Sequence, residues 1–209
     1  MKIGVLGTGN VGATLGLRWA SLGHDVTFGS RDPNSEKVRG VLAQSENKVK
    51  ADHIKKAVQA CEVIVLAIPW HGVKDVLKEG DFRKKIVIDC TNPLKSDFSG
   101  SALVGETSAA EEIAKQIKGA YLVKAFNSIG SMVMADPSYG KDKAMMLICS
   151  DHADAKAVVK TLAEQLDFEV VDAGDLVIAR YLEKMAVLWI HLAFKQNLGA
   201  NFAFKLLKR

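Results

Sequence analysis

The chain has 209 residues, 48% hydrophobic and 25% charged, with a formal net charge of +4. This is ordinary globular composition, enough for one large domain with at most a small appendage. Lysines and arginines are spread out, with no basic block carrying interleaved aromatics, which argues against a nucleic-acid partner. The longest apolar run, Met185 to Phe194, is about half a bilayer span, so no membrane partner is expected. The first strand starts too near the N-terminus to leave room for a signal peptide. Cys61, Cys90 and Cys149 lie far apart beside apolar runs and read as buried thiols of a reducing, cytoplasmic protein.

Ile3 to Leu6 is an apolar strand. It leads into Gly7-Thr8-Gly9-Asn10-Val11-Gly12, then a helix over Ala13 to Leu22 with Gly23 at its C-cap. Strand, Gly-x-Gly-x-x-Gly and helix in that order form the fingerprint of a dinucleotide-binding βαβ unit. Gly7 permits the tight turn, Gly9 lets backbone approach a pyrophosphate, and Gly12 lets helix and strand pack closely. The helix N-terminus then faces the phosphates. Asp25 to Phe28 is the second strand. The fingerprint calls for an acidic residue about 20 positions on, to hold a ribose 2′-hydroxyl. Ser30 and Arg31 stand there instead. A carboxylate would repel a 2′-phosphate, whereas a hydroxyl and a guanidinium fork would bind one, so the expected coenzyme is NADP(H).

Ser35 to Ser45 reads as a short helix and Lys48 to Ala51 as a third strand, with Asp52 capping a helix over Ile54 to Ala60. The β-branched run Glu62 to Ile68 is a strand buried on both faces, ending in Pro69-Trp70-His71-Gly72 before a helix over Val73 to Leu77. Lys85 to Asp89 and Ala120 to Phe126 are further strands, separated by a loop, Lys95 to Thr107, and a helix, Ser108 to Ile117. Tyr139 to Asp142 is a turn, Ala144 to Cys149 a strand, Asp151 to about Leu166 a helix, and Phe168 to Val171 the last strand. A long helix from about Leu176 to Leu198 and a basic apolar tail, Phe202 to Arg209, complete the chain. This alternation predicts an α/β fold of Rossmann type, doubly wound, with a mainly parallel sheet, helices on both faces and a long C-terminal helix. Residues 1–172 would form the NADP-binding domain, and residues 173–209 would pack on it or on a dimer partner.

In such a sheet the ligand crevice lies beyond the carboxyl ends of the strands. Pro69-Trp70-His71, Thr91-Asn92-Pro93 and Phe126-Asn127-Ser128 stand at three of these ends and should converge on the nicotinamide. Asn92 and Asn127 can hydrogen-bond a carboxamide or ribose, or simply make turns. The five histidines show no metal-ligand spacing, and no nucleophile elbow or Cys/His pair appears. His71 alone stands at a strand end, either touching substrate or starting a helix. Residues 173–209 are too few for the substrate domain that many dehydrogenases add. The acceptor is therefore either a flat ring such as a flavin, or a substrate enclosed by a homodimer through the C-terminal helix, with Leu182, Leu188, Trp189 and Leu192 at the interface. Hydride transfer between two cofactors needs positioning more than acid–base catalysis.

Gly7 to Gly12, Gly29-Ser30-Arg31, Ile68-Pro69-Trp70, Asn92-Pro93, Lys124-Ala125-Phe126-Asn127 and Ala173-Gly174-Asp175-Leu176 with Ala179-Arg180 together resemble the NADP oxidoreductases dependent on coenzyme F420. The cytosolic domains of the six-transmembrane metalloreductases belong to the same group. The resemblance implies that Thr8, Ser30 and Arg31 hold the 2′-phosphate and that Asn10, Val11 and Gly12 hold the pyrophosphate. It places Ile68, Pro69 and Trp70 along the path to the nicotinamide, with Ile129 and Ser131 against that ring. It implies no catalytic base. The expected activity is hydride transfer between NADP(H) and a flavin (FMN or FAD) or coenzyme F420. The alternatives are an NADPH-binding sensor without turnover, or a reductase of a small imine or ketone.

Overall fold

The computed structural model describes residues 1–45, 48–207 and 209; Lys208, within the tail expected from the sequence, lies outside them. A six-stranded parallel sheet forms the centre, in the order β3-β2-β1-β4-β5-β6. Its strands are β1 (Lys2–Leu6), β2 (Asp25–Ser30), β3 (Val49–His53), β4 (Val63–Leu66), β5 (Ile86–Asp89) and β6 (Tyr121–Lys124). They alternate with α1 (Asn10–Ser21), α2 (Glu36–Gln44), α3 (Ile54–Ala60), α4 (Trp70–Lys78) and α5 (Ala109–Gln116). The chain winds outward from β1 to β3, then returns to lay β4 on the other side of β1. That reversal is the topological switch point of a doubly wound sheet, where a crevice opens.

Successive residues of β4 serve opposite faces. Val63 and Val65 join the cluster containing Trp19, Phe28 and Phe126, whereas Ile64 and Leu66 join the cluster containing Val73, Leu77 and Ile113. Burial on both faces explains why the strand reads as an unbroken apolar run. Trp19 anchors α1: its Nε1 donates to the Leu162 carbonyl at 3.1 Å, and its ring meets Phe126 edge-on, which meets Phe168 the same way.

The second half comprises α6 (Ser131–Ala135), a hairpin of β7 (Ser138–Tyr139) and β8 (Asp142–Lys143), β9 (Met145–Ile148), α7 (Ala153–Gln165) and β10 (Glu169–Asp172). A 3₁₀ turn at Leu176–Ile178 then leads into α8 (Ala179–Ile190), and a π turn follows at His191–Lys195. Among the described residues no helix is long and apolar enough to cross a membrane.

Several boundaries differ from expectation. Asp52 is not a cap. β3 stays paired with β2 as far as His53, so Asp52 remains in the ladder and His53 takes the N-cap position. β6 ends at Lys124, because Phe126 adopts φ 58°, outside the β region. Among the described residues β9 and β10 pair only with each other, in parallel, and Cys149, just beyond β9, forms an antiparallel bridge to Lys124 of β6. The expected long C-terminal helix is present and runs without interruption from Leu176 to Lys195, its first turn 3₁₀ and its last π. It stops at Gln196, where Asn197 and Gly199 both take positive φ. Leu182 and Trp189, expected at a dimer interface, instead lie inside the chain at 3% and 6% exposure. Trp189 Nε1 donates to the Phe202 carbonyl, which folds the tail back onto the helix.

Candidate functional site

The glycine turn sits at the switch point, and its three glycines do different work. Gly7 has φ +117°, and a Cβ there would fall 2.3 Å from the Ala67 carbonyl oxygen. A Cβ on Gly12 would fall 2.1 Å from the Gly7 carbonyl oxygen, so any side chain would pry the first turn of α1 off the strand. Gly9 has ordinary extended angles and nothing within 4 Å of a built Cβ. Its side chain is missing because of the space in front of it. The amide groups of Asn10, Val11 and Gly12 head the helix without intrahelical partners. An open cradle at a helix N-terminus fits the phosphates of a dinucleotide.

The cradle opens into a cavity of about 600 Å³. It is lined by Gly7, Thr8 and Gly9 of the glycine turn, by Ser30 and Arg31 after β2, and by Ile68, Pro69 and His71 after β4. Ser30 stands at the end of β2, and its hydroxyl donates to the Asp32 carbonyl at 3.0 Å. Arg31 is exposed and, among the described residues, carries no ion pair. Lys37, in the first turn of α2, is likewise unpaired among the described residues and lines the same cavity. The sequence reading missed Lys37; its signal was a basic residue six positions beyond Arg31 at a helix start. Two cations in one lining, neither in an ion pair among the described residues, suit a doubly anionic phosphate. Asp32, Asp75 and Glu79 line this cavity too, and Asp75 is engaged by Lys78 at 2.8 Å. The hydrogen bond from Lys78 holds the Asp75 carboxyl below the usual carboxylate range.

Thr8, Gly9, Asn10 and Lys37 also border a second cavity of about 480 Å³ between α1, α2 and α6, and there Ser131 and Met132 join them. The structure thus brings Ser131 to the glycine turn. Trp70 packs against the apolar cluster under α4, and Val11 against the cluster under α1. His71 is exposed in the first turn of α4, which also gives it the helix-start role.

At the ends of β5 and β6 the polar residues lie beneath the surface. Asn127 is 5% exposed, and its Nδ2 donates to Asn92 Oδ1 and to the Leu182 carbonyl, both at 3.0 Å. Asn92 Nδ2 returns a bond to the Asn127 carbonyl at 2.7 Å. Pro93 and Ile129 are buried beside them. Thr91 Oγ1 and Asn127 Oδ1 are buried without a hydrogen-bond partner among the described residues. Asn92, Pro93, Asn127 and Ile129 line neither cavity, and the asparagine side chains bond to one another and to backbone, which is the turn-making reading.

A charged group missed by the sequence reading lies next to them. Lys124 is wholly buried and donates to Asp89 Oδ2 at 2.9 Å, Glu183 Oε1 at 2.9 Å and the Thr91 carbonyl at 2.5 Å. Asp89 Oδ1 accepts from the Thr91 amide, and Glu183 accepts from the amides of Ala109 and Ala110 at the head of α5. Burial disfavours the Lys124 ammonium, but Asp89 and Glu183 outweigh it and hold its pKa above the ordinary lysine value. Burial raises the pKa of Glu183 in turn, against the pull of Lys124. The signal in the sequence was a charge at the end of each of two apolar strands. The thiols are buried as expected. Desolvation raises all three, Cys149 to about 12.

Residues 2–93 match the model of a family described as NADP oxidoreductase, coenzyme F420-dependent. The F420-dependent NADP reductase of Methanothermobacter marburgensis is 35% identical, over 95% of each chain. The metalloreductase STEAP3 of Rattus norvegicus is 30% identical over 87% of this chain but only 36% of its own length. A crystal structure described as a putative F420-dependent NADP reductase from Arthrobacter sp. FB24 superposes with a TM-score of 0.89 over all of both chains, at 30% identity.

Proposed function

The chain belongs to the family of NADP oxidoreductases dependent on coenzyme F420, and on that premise we propose that it passes a hydride between NADP(H) and the deazaflavin ring of coenzyme F420. The observation that carries this reading is the open, glycine-lined cradle whose cavity also holds the cations Arg31 and Lys37, neither of them in an ion pair among the described residues. Ser30, Arg31, Lys37 and Thr8 would hold the 2′-phosphate. The backbone of Gly9, Asn10, Val11 and Gly12 would hold the pyrophosphate. Ile68 and Pro69 would line the path to the nicotinamide, with Trp70 packed behind them. Asn92, Pro93, Asn127 and Ile129 would set the shape of the nicotinamide end, and Ser131 would face it from α6.

When bound, the coenzyme supplies the hydride from its nicotinamide ring. The chain's own part is orientation: it holds one ring at a fixed place, leaves one face open to a second flat ring and keeps water from between them. Neither ring requires a proton from the protein in the transfer itself, so the exposed His71 needs no part in the chemistry. A second copy of the chain would help to enclose the acceptor, and the exposed Tyr181, Leu188 and Phe194 along α8 and the π turn offer it an apolar face.

The test mixes the protein with NADPH and, separately, coenzyme F420, FMN and FAD, and follows the absorbance of both partners. Rapid oxidation with F420 is expected. Turnover only with FMN or FAD would make the protein a flavin reductase. Turnover of a cyclic imine or ketone alone would make it a small-substrate reductase. Tight NADPH binding without oxidation by any acceptor would make it a sensor.

A further inference from the structure

The network around Lys124 reaches four separate parts of the fold. Lys124 ends β6, Asp89 ends β5, Glu183 lies on α8, and Glu183 in turn caps the head of α5. All three donor positions of the ammonium are used. Formally it carries one positive and two negative charges, and the two amides of α5 supply the remaining positive field. A second polar clamp lies one residue away: Asn127 Nδ2 holds the Leu182 carbonyl of α8. Together the two clamps pin α8 to the carboxyl edge of the sheet. They also hold both ends of the segment 92–107, since Thr91 precedes it and Ala109 follows it closely.

A buried ion cluster of this kind is a costly way to gain stability, because desolvation offsets most of the attraction. It is directional, however, and fixes where its members lie. We propose that Lys124 is a positioning residue. Through Glu183 and the Thr91 carbonyl it sets the placement of α8 and of segment 92–107 around the nicotinamide end of the crevice. It leaves the adenosine end, held by the glycine turn and Arg31, untouched. This rests on the hydride-transfer reading above. Lys124 touches no reacting atom; it acts through the elements it ties together.

The test uses the full chain with Lys124→Met, which keeps the apolar stem and removes the ammonium. NADPH affinity is measured by fluorescence titration, turnover with coenzyme F420 by absorbance, and amide hydrogen exchange by NMR or mass spectrometry. The expected result is NADPH affinity within about 2-fold of wild type and kcat about 10- to 100-fold lower, the range for a displacement near 1 Å. Exchange at Thr91, Ala109 and Ala110 should be at least about 10-fold faster by the loss of their partners' anchor. If Lys124→Met fails to fold, Glu183→Gln serves: it is isosteric and sets an amide donor against the Ala109 N–H, and smaller changes in the same directions are expected. Unchanged kcat with unchanged exchange would overturn the proposal. So would a parallel loss of NADPH affinity, which would mark a general structural role. If wild type turns over no deazaflavin, the functional reading fails. The exchange rates, read against retained NADPH affinity, then decide the positioning role.

Discussion

Alanine at Gly9 and at Gly12 separates binding from folding within a single motif. At Gly9 the backbone angles suit any residue, and a methyl group meets no atom within 4 Å. Gly→Ala gains about 0.4–1 kcal/mol through the unfolded chain. Alanine is a poorer N-cap than glycine by a comparable amount. The net stability change should lie within about 0.5 kcal/mol, a shift of about 2 °C or less in Tm for a chain of this size. The methyl group projects into the cradle, where overpacking against a phosphate costs about 1–3 kcal/mol, or about 5- to 150-fold in Kd. At Gly12 the same methyl group lands 2.1 Å from a backbone oxygen, so the cost falls on the fold itself. A loss of about 1–3 kcal/mol there should lower Tm by about 2–12 °C. Differential scanning calorimetry and NADPH titration of the two variants read both effects. Wild-type NADPH affinity in Gly9→Ala would refute the placement of the pyrophosphate over that residue.

Arg31→Ala and Lys37→Ala should each weaken NADPH binding by about 1.5–3 kcal/mol while barely changing NADH, because only NADPH carries the phosphate they are proposed to bind. Equal losses for both coenzymes would make these residues structural. The native protein should resist a thiol reagent at pH 8 and react fully once unfolded, since Cys61, Cys90 and Cys149 are buried with raised pKa values. The bidentate bond from Arg180 holds the Glu111 carboxyl below its ordinary value of 4.5. A lowered folded-state pKa contributes stability above pH 4.5 that is lost as pH falls through the folded value. The Tm gap between wild type and Arg180→Met should therefore narrow between pH 6 and pH 3; a constant gap would mean that Arg180 acts by packing alone.

Local rules carried the first half of the fold well. The central strands β1, β4 and β5 were short apolar runs, and the glycine motif dictated its own geometry, whereas β3, Val49-Lys50-Ala51-Asp52-His53, is mostly polar and half-exposed at the sheet edge. Phe126 illustrates what local rules leave out. Its β-type sequence context predicts strand, yet its backbone takes φ 58° and its ring meets Trp19 and Phe168 edge-on, contacts far along the chain that no local rule supplies. Similarly, the apolar stripe of α8 foretold a helix but not its neighbour. Trp189 could turn outward to another copy or inward, and it turns inward because the chain beyond Gly199 returns Phe202 to stack on it, with the ring centroids 5.2 Å apart. In the candidate site, Ser30 and Arg31 were legible by their distance from the glycines. Lys37 needed the geometry of α2, and Lys124 needed the side-by-side pairing of β5 and β6, which brings Asp89 opposite it.

The central claim is that hydride passes directly from NADPH to a deazaflavin ring held beside it. The most direct measurement uses NADPH carrying deuterium at the transferable position of the nicotinamide, with coenzyme F420 in ordinary water, and locates the label by mass spectrometry and NMR. Deuterium at the ring carbon that replaces the flavin N5 is the predicted result. A reduced deazaflavin bearing only solvent hydrogen, or NADPH that stays bound and labelled, would contradict it.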